Sequence, residues 1–146
     1  MIRIVMIIAA MVVAGASPAA AQEGPIKQRQ ELMKKNGAAS KLSGQMVKGE
    51  KPFDPAAAAE AMMTINGSLD EFVTLFPEGS AEGSDAKPEI WQDKADFEAL
   101  AQKTKELSAK AADATEGGLE SFTTAFAEVG RSCGACHEKY RVKKKK

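Results

Sequence analysis

Apolar residues recur at steps of three and four in several separate stretches of the chain, the spacing of helices that each bury one stripe. The plainest stretch runs through Ala58, Met62, Ile65, Leu69, Phe72 and Phe76. Asp54 and Pro55 ahead of it supply an N-cap residue and a proline for the first helical position, so a helix is predicted from there to about Phe76, where Pro77 follows. An earlier helix is predicted from about Ile26 to Lys48, closed by Gly49, Glu50, Lys51 and Pro52. Its candidate inward positions are Gln30, Met33, Gly37, Ser40 and Gly44. These lack large aliphatics and leave room for something that is not a side chain.

Residues 77–88 read as a loop, since Gly79, Ser80, Gly83, Ser84, Asp85 and Pro88 are turn formers without apolar rhythm. A third helix carries Phe97, Leu100, Thr104, Leu107, Ala111 and Ala114, and Gly117 with Gly118 breaks it. The last helix places Leu119, Phe122, Phe126, Val129, Cys133, Cys136 and Tyr140 on one inward stripe, and Lys143 to Lys146 give it a basic end suited to the helix dipole. That lysine run reads as a solvated tail or as a docking patch for an acidic partner. Four amphipathic helices, two short connections out of three and no strand signal predict an all-α fold, an antiparallel four-helix bundle.

The N-terminus follows a different pattern. Arg3 precedes an apolar run from Ile4 through Val13, followed by Gly15, Ser17, Pro18 and the small residues Ala19, Ala20 and Ala21. This is the layout of a secretory signal peptide, with cleavage expected before Gln22. The run is too short for a bilayer span, which takes about 20 residues. Residues 1–21 are therefore expected to be removed, leaving residues 22–146 as one exported domain with no membrane attachment.

Composition narrows the function classes. The 146 residues carry 20 basic and 20 acidic side chains, a balance that disfavours nucleic-acid binding. No Ser-His-acid or paired-carboxylate constellation supports hydrolytic or nucleophilic chemistry, so the protein is not expected to be an enzyme. Two cysteines and one histidine are too few for a disulfide scaffold or an ordinary zinc site.

Those three residues stand together, as Cys133-Gly134-Ala135-Cys136-His137. The spacing is that of covalent haem c attachment. Two thiols add to the two vinyl groups of one haem, and the adjacent imidazole binds the iron from one face. On a helix the three fall at i, i+3 and i+4 and project to one side. A thioredoxin-like pair would want a strand before the motif, zinc lacks a fourth ligand, and a plain disulfide leaves the histidine without a role. An exported chain agrees with haem c, which bacteria assemble outside the cytoplasm.

Here the sequence resembles the cytochromes c′, the class II c-type cytochromes, which are themselves a standing example of the four-helix bundle. The resemblance covers essentially the whole mature chain. It rests on Arg29 with Met33, on Leu75-Phe76-Pro77-Glu78-Gly79-Ser80, on Lys87-Pro88-Glu89-Ile90-Trp91, and on Val129 through Arg141 around the haem motif. It implies His137 as the only protein ligand to iron and an open sixth position screened by apolar side chains, with Met33 capping that distal face. It further implies Arg29 near a haem propionate and Arg141 on the proximal side. Arg29 and Met33, like His137 and Arg141, are four residues apart and on a helix would share a face. Gln30 is a further candidate for a propionate contact. Class I cytochromes are excluded, because they carry the haem motif near the N-terminus.

Two functions follow from the resemblance. The first is a periplasmic protein with five-coordinate high-spin iron that binds NO or CO and handles or buffers NO. With His137 spent on the proximal side, no second histidine is present to hydrogen-bond dioxygen. The second is a low-spin electron carrier with Met33 as the sixth iron ligand, which would raise the reduction potential. Both leave room for a periplasmic redox partner and for a homodimer.

Overall fold

The computed structural model describes residues 18–143, so the predicted leader up to residue 17 and the last three lysines lie outside the described residues. Four long helices make the bundle: α1 (Pro18–Val47), α2 (Pro55–Phe72), α4 (Lys94–Asp113) and α5 (Gly118–Tyr140). A single turn, α3 (Glu89–Gln92), sits in the connection between α2 and α4. Helix α1 packs on α2, α2 on α4 and α4 on α5. Among the described residues the only strand-like pairing is an isolated bridge between Ala86 and Arg141, and no helix is long and apolar enough to cross a membrane.

The start of α2 follows its capping chemistry. The Asp54 carboxylate accepts from the amides of Ala56 at 2.9 Å and Ala57 at 3.1 Å, with Pro55 in the first turn. Such a cap is worth about 1 kcal/mol. The helix ends at Phe72, short of the predicted Phe76. Its last carbonyls are captured locally: the Thr74 amide and hydroxyl both donate to the Glu71 oxygen, at 3.0 and 2.7 Å, and the Leu75 amide donates to the Phe72 oxygen. Phe76 is nonetheless buried, because this tighter turn carries it back onto the bundle. Helix α1 begins earlier than Ile26 and contains Pro25. Between α4 and α5 the predicted glycine break is a 3₁₀ turn, Ala114–Gly117, followed by Gly118 at φ 82°, a conformation that favours glycine.

The core has two parts. Met46, Ala58, Met62, Ile65, Phe122 and Val129 fill the body of the bundle. Phe76, Ile90, Phe97 and Tyr140 fill one end, with Phe97 edge-on to both Phe76 at 4.8 Å and Tyr140 at 5.3 Å between ring centroids. Leu119, placed by periodicity on the inward stripe, is exposed instead. It follows directly on the turn at Gly118, before α5 has come against its neighbours. Helix α5 stops at Tyr140, so Lys143 lies beyond it and is not part of its last turn.

Candidate functional site

Helix α5 holds Cys133, Cys136 and His137 on one stripe, half-buried, along a cavity of about 670 Å³. That volume is within the range of small-molecule and cofactor sites. Both cysteines are free thiols. Burial pushes each thiol up; for Cys136, burial first and then Cys133 and Asp96 bring the value to about 11. The His137 imidazole is pushed down by burial and then by the Arg141 cation. Both effects favour the neutral ring, whose free nitrogen lone pair is the form that binds metal.

The end of α5 is anchored by contacts that the sequence pattern did not disclose. Tyr140 Oη donates to Asp96 Oδ2 at 2.6 Å, and Lys139 Nζ donates to the same oxygen at 2.8 Å. Hydrogen bonds from Lys139 and then Tyr140 hold the Asp96 carboxyl below its ordinary range. The Lys87 amide donates to the Tyr140 carbonyl at 2.9 Å, and the Val142 amide to the Asp85 carbonyl at 2.8 Å. From sequence alone Asp96 is an ordinary acid in the first turn of a helix, and only the approach of α5 gives it a partner. Arg141 lines the cavity, but not from the helical face of His137. It is the C-cap residue with extended backbone (φ −115°, ψ 134°), so it does not share a helical face with His137. The pairing of the chain with Ala86 draws it out of the helix.

The facing wall comes from α1 and α2. Gln30, Met33, Gly37 and Ser40 all line the cavity, whereas Gly44 does not. A Cβ on Gly37 would meet nothing within 4 Å, so the small residues of α1 do leave open space. Ile65, Leu69 and Phe72 make the α2 side apolar. The α1 side of the cavity is not wholly apolar, since Asn36 and Ser40 line it together with Met33. Met33 also packs against the buried core of the bundle.

Arg29 is 5% exposed, far from the solvated surface cation that an arginine usually is. Its Nη2 donates to the Ser80 carbonyl at 2.7 Å, and the guanidinium lies 4.4 Å over the Phe76 ring. Its Nη1 is buried with no hydrogen-bond partner. Burial lowers its pKa, yet a guanidinium keeps its charge in proteins. A buried cation with an unused N–H at a cavity wall calls for an anion. Gln30 sits at the same wall but is exposed, and so contributes at the rim. Two thiols at i and i+3, an adjacent neutral imidazole, a cavity of cofactor size and an unpaired guanidinium N–H together fit a haem with its propionates. Arg29 would meet a propionate, and His137 the iron.

Comparison with known proteins points the same way. Residues 24–141 match the family model described as Cytochrome C'. The chain is 37% identical over 142 residues to cytochrome c′ of Rhodopseudomonas palustris, covering 94% of each. It is 38% identical over 125 residues to cytochrome c-556 of Agrobacterium fabrum, covering 83% of each. Among solved structures, cytochrome c prime from Shewanella frigidimarina superposes with a TM-score of 0.77 at 30% identity, covering 84% of this chain and 97% of that one. A nitric oxide complex of a mutant of cytochrome c prime from Alcaligenes xylosoxidans gives 0.76 at 33% identity with the same coverage.

Proposed function

The chain belongs to the cytochrome c′ family and is a c-type cytochrome carrying one haem c through Cys133 and Cys136, and from that premise we propose that it binds NO and CO in the periplasm with His137 as the only protein ligand to iron. When bound, the haem would supply an iron able to take a small ligand. Everything else falls to the chain. The α5 helix orients the neutral imidazole, Arg29 and Arg141 offer positive charge at the cavity wall, and Met33 with the α2 residues excludes water from the opposite face. In this reading the protein is a binder and not an enzyme.

The observation that carries the reading is the packing of Met33 against the bundle core, which gives its side chain an apolar role on the wall facing α5. The nitric oxide complex of a related protein supports NO as a ligand. Export is supported by the leader pattern and by Pro25. After cleavage before Gln22, Pro25 would fall among the first four helical residues, whose amides have no partner within the helix. Because Met33 lines the same cavity as His137, the second reading is a low-spin electron carrier with Met33 ligated. Absorption and resonance Raman spectra of the ferrous holoprotein separate the two. A five-coordinate high-spin iron is expected, and a six-coordinate low-spin iron would establish the carrier.

A further inference from the structure

Asn36 stands on the same stripe of α1 as Met33, one turn further on, half-buried and lining the cavity. Its side chain is held by Ser68 of α2, whose hydroxyl lies 2.5 Å from Asn36 Oδ1 and 3.1 Å from the Ile65 carbonyl oxygen. A hydroxyl has one proton to give, and the shorter contact takes it. In the structure Oδ1 faces Ser68 as acceptor, which leaves the two Nδ2–H donors on the other side of the amide. None of the described residues accepts from them, while the amide belongs to the wall that faces α5. Around it the α2 wall is hydrocarbon, from Ile65, Leu69 and Phe72. A donor beside such hydrocarbon is worth more than it would be in water.

We propose that Asn36 is a specificity-determining residue of this pocket, a hydrogen-bond donor held in place by Ser68, which favours small ligands with a basic or anionic outer atom over CO. The proposal rests on the reading of a ligand bound opposite His137. Azide is the test anion for the ferric holoprotein, and CO is the weakly accepting reference for the ferrous one. Hydrogen bonds to charged groups carry enough free energy to change an equilibrium about tenfold or more.

The experiment compares wild type with Asn36→Leu, and with Ser68→Ala, which keeps the amide but frees it to turn. Expected is an azide affinity about tenfold lower in Asn36→Leu and intermediate in Ser68→Ala, with CO affinity unchanged or higher. The C–O stretch of the ferrous CO complex should rise in Asn36→Leu, since a donor near the bound oxygen lowers it, and a change of fold alone would not move it that way. Parallel changes in azide and CO affinity, or an unmoved C–O stretch, would overturn the proposal. Repeating the comparison in a Met33→Ala background separates the two claims. A low-spin wild type would end the five-coordinate reading, whereas the Asn36 effect on azide would still appear once Met33 is gone.

Discussion

Arg29 Nη2 meets the Ser80 carbonyl oxygen at 2.7 Å, joining the first helix to the loop after α2 and leaving the second terminal nitrogen, Nη1, buried without a partner. The arrangement keeps a positive charge inside the protein at the edge of the haem cavity. Removing that charge by Arg29→Gln should stabilise the ferric state and lower the reduction potential by an amount on the order of tens of millivolts. Redox titration of the two holoproteins checks this, and an unchanged potential would place the guanidinium away from the charge on the haem.

Met33 is the residue on which the two functional readings diverge. Met33→Ala should open the pocket and speed or tighten CO binding, with iron five-coordinate both before and after. If Met33 leaves an unfilled cavity, the substitution also costs about 2–5 kcal/mol, so spin state and not stability is the measurement that discriminates. A low-spin wild type that turns high-spin on substitution, with a marked fall in potential, would overturn the proposed function.

The motif on α5 is expected to divide the work between tether and ligand. Replacing both Cys133 and Cys136 by Ser should abolish the haem that survives acid-acetone extraction, while His137→Ala should keep it and lose the native coordination. Intact mass and the ferrous spectrum report these separately. Wild-type mass should also correspond to a chain beginning at Gln22.

Asp96 links acid stability to the His137 end of α5. Its folded pKa lies below the ordinary 3.8, held there by Lys139 and then Tyr140. A carboxyl whose folded value is depressed contributes stability above its unfolded value and loses it as pH falls through the folded one. Wild type should therefore exceed Asp96→Asn in urea midpoint at pH 6, with the gap closing below about pH 4. A gap that persisted unchanged at pH 3 would remove the carboxylate from the account.

Phe97 holds the aromatic end of the core, 2% exposed and edge-on to Phe76 and Tyr140. Phe97→Ala should cost about 3–5 kcal/mol, measured by denaturant unfolding. Because Phe97 also lines the cavity, the haem spectrum should change with it.

The parts of this protein that its sequence determined are those whose partners lie close in the chain. Cys133, Cys136 and His137 are brought together by one helix, so their placement along one stripe was legible from spacing alone, as were the Asp54 cap and the break at Gly117 and Gly118. Periodicity also predicted the four helices, because one apolar stripe per helix requires only a neighbour to cover it. It could not say how each helix is rotated about its axis, or how far an element runs once tertiary contacts compete for its last hydrogen bonds. Hence Leu119 is exposed, α2 ends at Phe72, and Arg141 leaves the helical face of His137. Arg29 with Ser80, Asn36 with Ser68 and Tyr140 with Asp96 each pair residues from different elements. Their geometry exists only once the bundle has closed, since the free energy that buries a guanidinium or orients an amide comes from packing between helices and not from the local chain.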